Sequence, residues 1–400
     1  MAESVNKEKT RVEGIDYSTG IPASVDIADG HINGISSEVS EKRNNLPFIA
    51  PGLFDIQVNG INGVDFNTFP VSHDDIYSAV RSLYSFGITS FFPTLVTAPA
   101  NDLRESLRQI SSFCESHRDE GRAIAGIHLE GPFISGDDGP RGAHDKRFIS
   151  LPDIDLLKEW QENCSGLIRL VTLAPELQGA STFIGKCSEM GITVSIGHTS
   201  ATPQQIKDAV SAGAKMSTHL GNGAHLILPR HPNYIWEQLA QDDLWATVIS
   251  DGFHLPDSVL KVMYRAKSGK MILISDCTRF AGLPAGSYSS KIGGNVILSE
   301  SGRLYMAEKP ELLAGSAVSL IFCVNHMLNA GICSLPQAWN MASVFPAQFI
   351  EPDSTYGLQK GSVADIVLFR LVEKKIKILK TIKNGRIVYE NPELLNSNIY

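Results

Sequence analysis

The sequence contains no Cys-x-x-Cys pair, no run of basic side chains, no repeat of solenoid length and no window approaching about 18 uninterrupted apolar residues. Six scattered cysteines (Cys114, Cys164, Cys187, Cys277, Cys323 and Cys333) argue against a zinc ribbon or a disulfide scaffold and suit a reducing cytoplasm. The first fourteen residues, MAESVNKEKTRVEG, lack the apolar core of a signal peptide, so neither membrane insertion nor secretion is expected. Lysine and arginine number 35 against 43 aspartates and glutamates, a net charge of −8. With no aromatic-basic alternation either, nothing is available to bind a nucleic-acid backbone. What is present is an ordinary globular composition, 43% hydrophobic and 20% charged over 400 residues, enough for one large enzyme-sized core.

Between Leu53 and Cys277 one phrase recurs: a β-rich run, a polar or glycine-bearing turn, then a helix-like stretch. The runs are FDIQVNG (54 to 60), ITSFFPTL (88 to 95), AIAGIHLEG (123 to 131), IRLVTLAPE (168 to 176), TVSIGHT (193 to 199), KMSTHLGN (215 to 222), WATVISDGFH (245 to 254) and MILISDCT (271 to 278). Continuous apolar runs suit parallel strands buried on both faces. Among the helical stretches, Leu103, Leu107, Ile110 and Phe113 recur at helical spacing behind an Asn101 or Asp102 cap, and 202 to 213 closes on a glycine. Eight such units predict an α/β fold, a (β/α)8 TIM-type barrel over 51 to 350, with its chemistry where the strands end. Within the flanks, 1 to 50 and 351 to 400, residues 22 to 50 and 357 to 390 carry short β-patterns with Asp29-Gly30 and Asn384-Gly385 as hairpin turns. They predict one small β-sandwich built from both termini, because neither set of strands can bury its faces alone. A β-hairpin is expected over 287 to 306, inserted after the eighth strand.

The polar residues that end the strands are informative. Glu130 ends the third, His198 the fifth, His219 the sixth and Asp276 the eighth, with His254 just beyond the seventh. Two imidazoles and a carboxylate leave a fourth position open, the donor set of a catalytic divalent-metal site, so Glu130, His198 and His219 are the candidate ligands. Zinc, Fe2+, Co2+ and Mn2+ all suit such a set. Asp276 emerges from an apolar strand into the same mouth and suits a general base; a turn-capping acid and a fourth ligand are its alternative roles. The long glycine-rich loop 133 to 148 places His144 where it could donate to a substrate oxygen. Arg230 and His254 are candidate anion binders or surface ion-pair members, and Asn222-Gly223 supplies a turn that lets backbone N–H groups approach an anion. The first strand carries Gln57-Val58-Asn59 where a two-metal barrel hydrolase offers His-x-His, and the fourth ends in Ala174-Pro175-Glu176 without a bridging lysine. One metal ion is therefore expected.

Taken in order, PGLFDIQVNGINGVDFN, HLEGPFIS with GAHD, SIGHTSAT, THLGN, SDGFH, SDCT and LAGSA resemble the amidohydrolase superfamily, and within it the N-acetylglucosamine-6-phosphate deacetylases. The resemblance runs from about Pro51 to Ser316 and extends to the flanking β-segments. It implies a barrel homodimer that removes acetate from an amino sugar phosphate, with the metal on Glu130, His198 and His219 and with Asp276 as acid/base. His144 and Ala143, Asn222 with Gly223, Arg230, His254 and the turn Leu313, Ala314, Gly315 would touch substrate, Arg230 reaching the phosphate across the dimer interface. Two segments depart from the family pattern: GNGAH at 221 to 225, and Arg279-Phe280, which places a cation and a ring near the mouth. These departures bear on the sugar and its substituents. An N-acyl amino acid, an unphosphorylated sugar, or a silent sugar-phosphate sensor are the rival readings.

Overall fold

The computed structural model describes residues 10–40, 46–290 and 294–395. Eight parallel strands, each overlapping one of the eight apolar runs, follow one another in order: β1 (Leu53–Val58), β2 (Ile88–Val96), β3 (Ile127–Glu130), β4 (Ile168–Leu173), β5 (Thr193–Ile196), β6 (Met216–Ser217), β7 (Trp245–Ile249) and β8 (Met271–Ile274). A bridge between Val58 and Cys277 closes the ring between β1 and β8. Alternate side chains divide between two cores. Ile127, Leu129, Val171, Leu173, Val194, Ile196 and Leu273 join the cluster shared with the surrounding helices. Phe54, Ile56, Phe92, Leu170, Met216, Ile249, Ile272 and Ile274 form a separate apolar floor within the barrel, closed below by Ala347 of helix Val344–Ile350.

A polar belt lies between that floor and the mouth. His128 Nε2 is 2.8 Å from Thr172 Oγ1, which is 2.8 Å from Thr218 Oγ1, and Thr218 donates to Ser195 Oγ at 2.6 Å. Burial pushes His128 down to about 4, so it is a neutral member of this chain. Beyond this belt, Glu130 ends β3, and His198 and His219 follow the ends of β5 and β6.

Helix Ala100–Ser116 buries Leu103, Leu107, Ile110 and Phe113, as the spacing predicts. Its cap differs: the helix begins one residue before Asn101, so Pro99 occupies the N-cap with no side-chain hydrogen bond, and Asn101 and Asp102 lie inside the first turn. Helix Pro203–Ala212 has a capping box between Thr202 and Gln205 and ends on Gly213 at φ 117°.

The terminal strands form one seven-stranded sheet, in which Phe48–Pro51 lies between Ile366–Val372 and Thr10–Asp16. Val12, Val25, Ile27 and Ile32 from one end of the chain share a core with Ile366, Leu368, Leu379 and Ile382 from the other. The sheet curls until its two hairpin turns touch: Gly30 and Gly385 sit at φ 77° and 76°, and a Cβ on Gly30 would lie 3.2 Å from Asn384 O. The predicted hairpin after β8 is the start of a four-stranded meander, Gly286–Ser290, Gly294–Leu298, Leu304–Met306 and Lys309–Leu313. Its first turn, 291 to 293, lies outside the described residues. Among the described residues, no helix is long and apolar enough to cross a membrane.

Lys267, the last residue of helix Asp257–Lys267, is buried, and its ammonium donates to three carbonyls: Gln238 at 2.7 Å, Gln241 at 2.8 Å and Leu244 at 3.0 Å. It thereby satisfies the frayed end of helix Tyr234–Ala240, and burial brings its own proton affinity down to about 8. Lys267→Met strands those acceptors and is expected to cost about 2–4 kcal/mol, read as a lower urea midpoint.

Candidate active site

Three residues at the mouth hold a backbone conformation that side chains other than glycine rarely adopt: His198 at φ 49°, His219 at 27° and Asp276 at 48°. Each such residue costs on the order of 1–3 kcal/mol, so the surroundings must over-determine it. They do. Ser135 N donates to His198 O at 2.9 Å, and the Glu176 carboxylate accepts from Thr199 Oγ1, from Ser200 N at 2.7 Å and from Ser200 Oγ at 3.0 Å. His219 N donates to Thr247 Oγ1 at 2.7 Å. The effect is to turn two imidazoles and a carboxylate back over the strand ends.

The two rings meet Glu130 at a single point. His198 Nε2 and His219 Nε2 each lie 2.9 Å from Glu130 Oε1 and 3.1 Å from one another. His198 donates from Nδ1 to Pro140 O at 2.8 Å, the outer bond that fixes a ligand's tautomer and turns the Nε2 lone pair inward. Burial alone would raise the Glu130 carboxyl; hydrogen bonding and charge from His198 and His219 outweigh it and hold the group well below the usual carboxylate range. That stabilisation needs positive charge at the focus. Two imidazolium protons crowded onto one oxygen repel, whereas one dication satisfies all three donors. Atoms sharing a tetrahedral ion with bonds of about 2.0–2.1 Å stand ~3.3 Å apart, close to the triangle seen here.

His144 joins the same cluster. The ligating atoms of Glu130, His144 and His198 all lie within 4.8 Å of one another, and His144 Nε2 is 3.3 Å from His198 Nε2. Its other nitrogen separates it from the ligands: His144 Nδ1 accepts from Thr97 N at 3.4 Å, with Thr97 Oγ1 at 2.9 Å. A neutral ring that accepts at Nδ1 carries its proton on Nε2, and burial together with His198 pushes His144 down to about 3, which keeps it neutral. It therefore presents an N–H to the site, while Glu130 and His198 present lone pairs and, with the His219 Nε2 that shares their focus, could hold the ion.

Asp276 is buried beside this cluster. Burial, and then the charge of Glu130, raise its carboxyl to about 6, and Asn59 Nδ2 donates to Oδ1 at 2.7 Å. Gln57 Nε2 donates to Glu130 Oε1 at 2.9 Å. The two amides that replace a His-x-His pair thus orient the two carboxylates. His254 Nδ1 is 2.7 Å from Asp251 Oδ2, and Asp251 Oδ1 accepts from the backbone of Phe253 and His254, leaving His254 Nε2 available. Asn222 Nδ2 is buried without a partner among the described residues. Gly223, at φ 55°, lies so close to the rings that a Cβ there would be 2.8 Å from His198 Nδ1 and 3.2 Å from His219 Cε1.

The remaining positions lie around this mouth or away from it. Ala143 is exposed next to His144 on the covering loop. Leu313, Ala314 and Gly315 turn beside the end of β8, where both Thr278 N and Oγ1 donate to Ser316 O. Phe280 is buried in the core of the inserted meander with Val296, Leu298 and Leu304, and Arg279 donates to Ser289 O at 2.7 Å with its guanidinium 5.0 Å from the Phe280 ring. This pair roots the meander that carries the 313 to 315 turn. Arg230 is exposed and makes no hydrogen bond or ion pair with the described residues. Sequence reasoning missed Asp251, Thr97 and the orienting roles of Gln57, Asn59 and Glu176. The one available signal was that each is a polar residue inside or directly after an apolar strand run.

No family model matches the sequence. It is 33% identical over 358 residues to an N-acetylglucosamine-6-phosphate deacetylase of Bos taurus, covering 86% of this chain and 84% of the relative. It is 31% identical over 351 residues to one of Lysinibacillus sphaericus, covering 87% of each. The chain belongs to the N-acetylglucosamine-6-phosphate deacetylase family. The crystal structure of the family member from Thermotoga maritima superposes with a TM-score of 0.82 over 96% of this chain and 100% of that one, at 26% identity. Family membership and the carboxylate–imidazole cluster together support a divalent metal.

Proposed function

We propose that the protein hydrolyses the acetamide of N-acetylglucosamine 6-phosphate to glucosamine 6-phosphate and acetate, with one divalent ion, zinc in our reading, on Glu130, His198 and His219. The observation that carries this is the placement of a carboxyl raised to about 6, Asp276, beside that three-donor focus in a chain of this family. When bound, the ion polarises the amide carbonyl and acidifies water. Asp276 takes a proton from the attacking water as the new C–O bond forms, and returns it to nitrogen as the C–N bond breaks. Without that return the amine would depart as an anion, so one group serves both steps. The His144 Nε2–H donates to the carbonyl oxygen as it gains charge. Asn222, His254, Ala143, Gly223 and the Leu313, Ala314, Gly315 turn would line the sugar.

Arg230 would bind the phosphate of a neighbouring subunit's substrate. In support, it stands uncommitted on a loop whose tip exposes Leu226 by 93% and Ile227 by 89%, an apolar surface that a second copy of the chain would cover. Six free cysteines suit a cytoplasmic enzyme. The test is acetate release from N-acetylglucosamine 6-phosphate and from N-acetylglucosamine. Arg230→Ala is expected to raise KM for the phosphorylated sugar about 10–100-fold, the worth of a charge-assisted contact, with little effect on the other. Equal turnover of the two sugars, or no acetate from either after metal repletion, overturns the reading.

A further inference from the structure

Asp55 is a carboxylate buried with no exposed surface on β1, and among the described residues no cation pairs with it. Burying such a group without a cation is costly: burial raises its carboxyl to about 7, against the hydrogen bonds from Ser275 and Gln57 that lower it. It accepts from Ser275 Oγ at 2.5 Å, from Ser275 N at 3.3 Å and from Gln57 N at 3.3 Å. Ser275 is the residue before Asp276, and its oxygen accepts in turn from Cys277 N at 3.2 Å. The chain of contacts therefore spans Asp276 on both sides and folds the backbone around its left-handed conformation.

Its place in the barrel explains why a side chain is needed. Every other neighbouring pair of barrel strands is joined by a backbone ladder, whereas among the described residues β1 and β8 share no ladder and meet in one backbone bridge, from Val58 to Cys277. At this seam Ser275 N finds a carboxylate where another strand would offer a carbonyl. The same carboxylate holds Gln57 N, whose side chain reaches Glu130. We infer that Asp55 is a positioning residue which, through the Ser275 hydroxyl, fixes Asp276 across the open seam of the barrel. The inference rests on the reading of Asp276 as the acid/base.

The test uses the metal-loaded, full-length protein with Asp55→Asn, Ser275→Ala, the double variant and, in parallel, Asp276→Asn. The expected result is that Asp55→Asn and Ser275→Ala each lower kcat about 10–100-fold, the cost of misplacing a reacting group by about an ångström, with KM within about twofold and metal content unchanged. The double variant is expected to lose no more than the worse single one, because both act along one path. Unchanged kcat with a lowered thermal midpoint would show a packing role and overturn the inference. Losses that multiply in the double variant would show that Asp55 does not act through Ser275. Should Asp55→Asn fail to fold, Ser275→Ala alone decides, since wild-type kcat there breaks the path. If Asp276→Asn itself keeps wild-type activity, the fault lies with the reading of Asp276; if it is inactive while the other variants are unaffected, Asp55 alone is misassigned.

Discussion

Asp276→Asn is expected to lower acetate release by about 10³-fold or more while the protein still binds its metal, because one carboxylate handles the proton in both the attack and the departure of the amine. The substitution is nearly isosteric, and asparagine keeps an acceptor for Asn59 Nδ2, which lies 2.7 Å from Oδ1. The fold and the Glu130 focus should survive it. The pH profile supplies a second readout. The carboxyl must be ionised to accept a proton, and burial with the charge of Glu130 raises it to about 6. In wild type kcat/KM should therefore be level above that point and fall about tenfold per pH unit below it, the ion's own charge moving the limb lower. Residual activity in Asp276→Asn should lack this limb. Retention of a tenth of wild-type activity, or loss of the metal with the carboxylate, would place Asp276 among the ligands or the structural acids.

The parts of this site that were legible in the sequence are those where a titratable side chain closes a β-rich run. In MILISD and IHLE the burial of the strand is implied by its neighbours, so Asp276 and Glu130 had to emerge at a strand end. The same local logic found His198 and His219. What orients these groups was not legible, because it comes from residues far along the chain: Asn59 reaches Asp276 across 217 positions, and Gln57 reaches Glu130 across 73. Composition marked both amides only as poor ligands. Phe280 shows the converse limit. A ring beside a strand end reads as part of the mouth, yet it packs into the meander core, since the meander had to be anchored somewhere and sequence spacing carries no direction. At the termini the hairpin turns were readable from Asp29-Gly30 and Asn384-Gly385, whereas the insertion of Phe48–Pro51 between strands from opposite ends was not.

Replacing His219 should remove the metal, and replacing His144 should not. Both rings stand in the cluster around His198, and the ligating atoms of Glu130, His144 and His198 alone lie within 4.8 Å of one another, near enough to share an ion. The choice turns on one proton. Thr97 N points its hydrogen at His144 Nδ1, which leaves the His144 proton on Nε2 and no lone pair facing the focus. His219 Nε2, by contrast, completes the triangle with Glu130 Oε1 at 2.9 Å and His198 Nε2 at 3.1 Å. His219→Ala is expected to weaken metal binding by more than about 10³-fold, given that losing even an outer-shell partner of a ligand costs 10–100-fold. The purified variant should be metal-poor and inactive. His144→Asn should hold close to one metal per chain and lose about 10²–10³-fold in kcat, the usual value of a donor aimed at developing oxyanion charge. Metal analysis after chelator competition reads both outcomes independently of turnover. A metal-poor His144→Asn beside a metal-replete His219→Ala would exchange the two roles, and would mean that the Thr97 contact reverses when the ion binds.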